Sequence, residues 1–378
     1  MPSMRPLDSG PKGRLESLDV FRGATIAAMI LVNNPGSFQT TYAPLLHAQW
    51  NGWTFTDVIF PSFLWIAGVA MTLSFRKRME RGEDRATLLR HALRRAAIIF
   101  ALGLFLNAFP HFPLATLRIP GVLQRIAVCY LAAAAILLYT SVRTQLAILV
   151  SLLAGYWILM KTVPVPGYGA GVLEPQGNLA QWIDSRVLAG HMWSHTKTWD
   201  PEGILSTLPS IATVLFGVFT GHVLRRTGGS IRTLLVLAIS GLLLVFSGEL
   251  MDVWFPINKN LWSPSFAVLM AGISTLVFTA CYWLVDVKRI RAWARPFAIY
   301  GMNAIAIYVL AGVLADTLSI LKVPAGGETI SLWNWIYTRM FVPLANPFNA
   351  SLLFALAFVL VLYAVAYFLY RRGWFIKV

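Results

Sequence analysis

The chain has 378 residues, of which 57% are apolar and only 12% charged, against roughly a quarter charged in a soluble domain. Its net charge is +15, but the basic residues sit in short segments between apolar runs, a topology signal that argues against a nucleic-acid-binding surface. Runs long enough to cross about 30 Å of hydrocarbon recur from end to end, so the expected class is an all-α polytopic membrane bundle with no soluble domain left over.

Ten spans are expected, at 18–34, 56–75, 90–108, 121–140, 145–160, 204–224, 233–250, 263–285, 296–315 and 351–370. Pro, Gly and charged clusters such as RKRMERGEDR, RRTGGSIR and KRIRAWAR mark their ends. Residues 1–17 are expected to form a cytoplasmic segment and 18–378 a single transmembrane domain. The first run follows Arg5, Lys12 and Arg14 without a small-residue cleavage site, and reads as a retained helix. With both termini cytoplasmic, 22 of the 31 Lys and Arg residues fall on the inner side and 7 on the outer, while Arg22 and Arg125 lie within spans. Basic residues are retained inside, which favours this orientation.

Ionisable groups at membrane depth are costly and mark candidate sites. In the first span Asp19 and Arg22 stand three residues apart on one helix face; they either anchor the helix at the inner interface or leave Arg22 for an anionic ligand. The span closes with Asn33 and Asn34 in LVNNPG, where Pro and Gly stop the helix. Such an Asn caps the helix, or supplies the N–H donors of an oxyanion hole. His47 follows in LLHAQWNGWTFTDVIFP, crowded by Trp50, Asn51, Trp53 and Asp57. A lone His is commonly structural. A partly desolvated imidazole here can also take a proton from an amine or accept an acyl group. Asp57 either orients that ring or caps the second helix through TFTD.

Gln124 and Arg125 lie about one turn inside the fourth span, where an Arg needs a carboxylate, a phosphate or carbonyls. In WDPEGILSTLPS, Asp200 or Glu202 caps the sixth span or binds a substrate ammonium or hydroxyls. Asn258, Lys259 and Asn260 precede the eighth span in PINKNLWSPS, and Asn303 and Tyr308 lie inside the ninth, where they need partners. Trp193, Trp199, Trp333 and Trp335 in the outer loops suit an interfacial belt, and the same rings can stack on a sugar. Cys129 and Cys281 lie in apolar stretches and read as buried thiols. The sequence has no P-loop, GxGxxG, HExxH or Cys–His metal pattern.

Seven stretches in order, RLESLDVFRG, VNNPG, LHAQWNGWTFTDVIFPSFLWIAG, RIPGVLQRIAV, WDPEGILSTLPSI, NKNLWS and GMNAIAIYV, resemble the heparan-α-glucosaminide N-acetyltransferase family and its bacterial relatives. They reach from about residue 14 to beyond 310. The resemblance implies transfer of an acetyl group from cytosolic acetyl-CoA to the amine of a glucosamine-type sugar across the membrane. It implies His47 as the catalytic residue and Asn33 as the match to the family's Asn at the end of the first helix; Asp57 is the expected orienting partner. Arg22, Arg125 and Gln124 are expected at the acetyl-CoA, and Asn51, Asp200, Glu202, Lys259 and Asn303 at the acceptor, with no metal. The expected partners are the lipid bilayer, acetyl-CoA and the amino sugar, with a homodimer left open. The expected location is the bacterial cytoplasmic membrane, with His47 on the outer side. The rival is an amino-sugar or oligosaccharide transporter, against which stands the lack of a convincing internal repeat.

Overall fold

Residues 15–228 and 231–376 are described in the computed structural model. Their helices are α1 (Glu16–Asn33), α2 (Phe55–Met79), α3 (Arg85–Ala108), α4 (Val122–Tyr139), α5 (Val142–Thr162) and α6 (Leu179–Val187) in the first half. The second half holds α7 (Thr207–Thr227), α8 (Ile231–Asp252), α9 (Pro264–Tyr282), α10 (Arg295–Met302), α11 (Ala304–Ile320), α12 (Leu332–Ile336) and α13 (Pro347–Arg372). A two-stranded antiparallel hairpin, β1 (Lys322–Ala325) and β2 (Glu328–Ser331), joins α11 to α12 with Lys322 opposite Ser331. The expected N-terminal segment 1–17 lies mostly outside the described residues.

Local chemistry sets many of the boundaries. α9 begins with Pro264 in its first turn and with the Ser263 hydroxyl accepting from the Phe266 N–H, and α13 repeats the device with Pro347 and Asn346. Proline there forfeits no helical hydrogen bond, and the cap satisfies an orphan donor. α13 ends on Gly373 at φ 70°, the left-handed turn that glycine adopts without strain.

Among the described residues seven helices are long and apolar enough to cross a membrane: α2, α4, α5, α7, α8, α9 carried on to Val287, and α13. The chain is thus a polytopic helical membrane protein. α1 and α3 fall outside that set because charge is concentrated in them: Glu16, Asp19 and Arg22 in the first, and Arg85, Arg90, Arg94 and Arg95 in the second. The ninth expected span is not one straight helix. It breaks at Asn303, and α10 and α11 meet at 82°.

Burial separates the middle of the bundle from its edge. In its most apolar stretch α2 is 67% buried, whereas α8 is 22% buried and presents Ile239, Leu242 and Phe246 outward. One apolar core is shared by α2, α4, α7 and α9, and a second by α1, α10, α11 and α13. α2 and α7 touch backbone to backbone. A methyl on Gly217 would fall 2.0 Å from the Trp65 carbonyl oxygen, and one on Gly68 2.0 Å from that of Val214. Small residues let membrane helices approach this closely.

The bundle has two chemically distinct ends. At one, Glu16 pairs with Arg291 at 3.0 Å, the Ser17 N–H donates to Asp286, and the Arg22 guanidinium donates to the Gly301 carbonyl. At the other, the connecting segments lock together. The Gly52 N–H donates to the Ile257 carbonyl at 2.7 Å, the Trp50 indole N–H to the Leu173 carbonyl, and the Ile119 N–H to the His191 carbonyl. The Trp333 indole N–H closes on the Gly36 carbonyl.

Candidate active site

The site is built where α2 starts. The chain enters the helix at Thr54, whose backbone N–H donates to Asp57 Oδ2 at 3.0 Å while its hydroxyl donates to the Leu46 carbonyl at 2.6 Å. The side chain three residues into the helix thus closes the reciprocal half of a capping box. Asp57 Oδ2 also accepts from the Ala48 N–H at 3.0 Å, and Oδ1 meets His47 Nδ1 at 2.7 Å. The two alternatives for Asp57 are therefore both realised, one by each oxygen. The carboxylate is buried, while the His47 side chain is 50% exposed. With Nδ1 facing a carboxylate, the proton of the neutral ring is assigned to Nδ1, leaving the lone pair on Nε2.

Lys259 reaches the same ring from the segment between α8 and α9. Its Nζ lies 3.1 Å from Nδ1, 3.2 Å from Nε2 and 3.8 Å from Asp57 Oδ1. Asn258 pins this segment: its side-chain amide donates to Asn51 Oδ1 at 3.1 Å, and its own Oδ1 accepts from the Leu261 N–H. Burial pushes the Lys259 ammonium below the ordinary lysine range, and Arg125 adds to the effect, while Asp57 and Glu202 pull the other way. Asn51 is thereby already engaged with Asn258, on the exposed rim of the site.

Beside this lies a carboxylate cluster. Arg118 makes a two-pronged contact with Asp200, at 2.8 and 2.6 Å, and a third bond to Glu202 at 2.6 Å. Burial alone would lower the Arg118 guanidinium; the bond to Asp200 and the charges of Glu202 and Asp200 outweigh it and hold it above the ordinary arginine range. Neither acid caps the following helix, since α7 starts at Ser206 without a side-chain cap. Asp184 on α6 supports the cluster from behind, accepting from the Ile204 N–H at 2.9 Å and the Asp200 N–H at 3.4 Å. Burial raises its carboxyl to about 6, against those bonds.

Arg125 and Gln124 sit at the start of α4, 3% and 4% exposed. Arg125 Nη2 donates to the Gly203 carbonyl at 2.9 Å and to the Ser206 hydroxyl, and its guanidinium lies over the Trp262 ring. Its Nε and Nη1, and Gln124 Nε2, are buried with no partner among the described residues. Buried donors are normally satisfied; these three are ones that the described residues leave open.

The remaining expected residues divide by position. Asn33 is exposed at the end of α1, while Asn34 turns back to the Ile30 carbonyl at 2.8 Å. Arg22 pairs with Asp19 at 3.1 Å at the opposite end of the bundle. Asn303 is also at that end, and its amide is taken up by the Trp374 carbonyl and the Ile376 N–H. It holds the stretch 374–376 and does not join the group around His47. Cys129 is buried and Cys281 half-buried, both as free thiols. Among the described residues no group of His, Cys, Asp and Glu is arranged to hold a metal ion.

Arg118 and Asp184 were not singled out from the sequence. Arg118 counted there as an outer-loop charge, and its acidic partners lie 82 and 84 residues away. The only local signal was a lone acid in the amphipathic stretch LAQWIDSRV.

A family model described as Heparan-alpha-glucosaminide N-acetyltransferase, catalytic, matches residues 14–250. The Heparan-alpha-glucosaminide N-acetyltransferase of Homo sapiens is 32% identical over 353 residues, covering 78% of this chain and 52% of that protein. That of Mus musculus is 30% identical over the same length, with 53% of it covered. The chain spans about half the length of these curated relatives. The matched region holds His47, Asp57, Arg118, Arg125, Asp200 and Glu202; Lys259 and Asn303 lie beyond it.

Proposed function

The chain belongs to the heparan-alpha-glucosaminide N-acetyltransferase family, and from that premise we propose that it moves an acetyl group from acetyl-CoA, supplied on the inner side, to the amine of a glucosamine-type sugar outside. The matching relatives are named heparan-alpha-glucosaminide N-acetyltransferases, which supports the acetyl transfer. In this reading the chain crosses the membrane ten times, the end with Glu16 and Trp374 faces the cytoplasm, and His47 faces outward. The membrane is then the cytoplasmic membrane of a bacterial cell.

Acetyl-CoA carries several negative charges and does not cross hydrocarbon. Its phosphates would stay near Arg22 at the inner end, while the thin pantetheine arm reaches toward the outer end through the bundle. The unpartnered Nε and Nη1 of Arg125 and Nε2 of Gln124 would meet carbonyl oxygens of that arm or of the thioester. The acceptor would lie on the outer rim, between Asn51 and the Asp200–Glu202 pair, with Glu202 toward its ammonium.

His47 acts through Nε2. The acceptor amine attacks the thioester carbonyl as Nε2 removes its proton; the C–N bond forms, the C–S bond breaks, and the proton passes to the CoA sulfur, giving free thiol. A step through acetyl-His47 uses the same nitrogen. Asn33 would donate to the oxyanion, worth about 3 kcal/mol for such donors elsewhere.

One observation carries the proposal: His47, half-exposed at the mouth, is held by a buried carboxylate at 2.7 Å, the geometry of an oriented base. The test is acetyl transfer from radiolabelled acetyl-CoA to glucosamine by the purified protein. His47→Ala is expected to lower turnover by roughly 10³, within the range for a positioned base, with the unfolding temperature unchanged. Substantial turnover by the variant would remove His47 from the mechanism.

A further inference from the structure

Two charged groups face the His47 ring among the described residues: Asp57 from the start of α2 and Lys259 from the segment before α9. They ask opposite things of the imidazole. A carboxylate bonded to Nδ1 favours the charged ring, and an ammonium within hydrogen-bond distance disfavours it. The position of the ammonium is unusual. Its distances to the two ring nitrogens, 3.1 and 3.2 Å, are almost equal. The in-plane lone-pair directions of those nitrogens diverge, so no donor serves both. An in-plane position between them would collide with the ring carbon that joins them. Lys259 Nζ therefore lies over the face of the ring, off the in-plane direction of the Nε2 lone pair.

We propose that Lys259 is a positioning residue that keeps the His47 imidazole uncharged at rest, so that Asp57 fixes its orientation without charging it. The proposal rests on the reading of His47 as the acyl-transfer base, and moves Lys259 from the acceptor to the base. The segment is built for this. Asn258 and the Gly52–Ile257 contact fix its approach, and the Lys259 side chain is only 14% exposed. At that exposure its interaction with the ring is little screened by solvent. After His47 takes the amine proton, the ammonium over its face favours release of that proton to the departing sulfur.

The test needs no turnover. Diethyl pyrocarbonate modifies uncharged imidazole, and peptide mass spectrometry reads its rate at each His separately, with exposed His111 as internal reference. Wild type, Lys259→Met, Lys259→Gln and Lys259→Arg are compared across pH 5–8. The midpoint for His47 is expected to rise by about one pH unit, a tenfold change in the protonation equilibrium, in the Met and Gln variants and to return to the wild-type value in the Arg variant. The acid limb of kcat/KM for acetyl transfer should move with it. Unchanged midpoints in Met and Gln overturn the proposal. A midpoint displaced equally in Arg also overturns it, because packing rather than charge would then be responsible. Two neutral variants are used so that one misfolded protein does not decide the outcome. Failure here leaves the His47→Ala result standing, and the reverse holds, so the two readings fail separately.

Discussion

At the scale of single residues, Asp57 concentrates the most function. Its Oδ2 closes the first turn of α2 and its Oδ1 holds the imidazole, so helix start and ring orientation share one group. Asp57→Asn keeps the shape and removes the charge. Acetyl transfer is expected to fall by about 10² or more, as when a base loses its orienting partner, with a loss of about 1 kcal/mol from the weaker cap. Transfer rates and thermal unfolding of the same preparation separate the two effects; unaltered transfer would show that the ring needs no carboxylate. The spacing in TFTD made both roles for Asp57 legible but could not choose between them, because a pattern of residues does not say which oxygen faces where. Arg118 was illegible for another reason: its partners are brought to it only by the fold.

At the scale of elements, the seven helices that are long and apolar enough to cross a membrane among the described residues were readable because hydropathy is a local property. The break at Asn303 was not. Apolar residues run through 296–315 with one Asn among them, and a single polar side chain does not reveal an 82° turn. α6 also escaped notice, a nine-residue helix inside a segment read as loop. The α2–α7 contact makes a sharper expectation. Gly217→Ala must separate backbones that already touch, at a cost of about 1–3 kcal/mol as for other overpacked sites. A methyl on Gly155 of α5 meets open space, so Gly155→Ala should not lower the unfolding temperature measured in the same micelles. Equal behaviour of the two variants would refute the close approach.

For the molecule as a whole, the segments at the His47 end hold one another through contacts between distant parts of the chain. Local sequence carries no sign of this, since Gly52 and Ile257, or Arg118 and Asp200, are far apart along the chain. Asp184 makes the coupling measurable. Its carboxyl is raised from 3.8 to about 6, so between about pH 4 and 6 the folded chain holds a proton that the unfolded chain has released. Stability from this group is full below that window, is lost as pH rises through it, and is constant above. Asp184→Asn should flatten that segment of the unfolding-temperature profile between pH 4 and 7; an unaltered slope would show that Asp184 titrates as an ordinary acid.

The elbow at Asn303 has an architectural result. Its two legs stand nearly at right angles. α11, at 17 residues, is about 25 Å long, while α10 packs against α1 where Gly301 meets Asp19 and Phe297 meets Gly23. At the joint the Asn303 amide donates to the Trp374 carbonyl and accepts from the Ile376 N–H. The stretch 374–376 is thus tied by its backbone to the elbow between two helices.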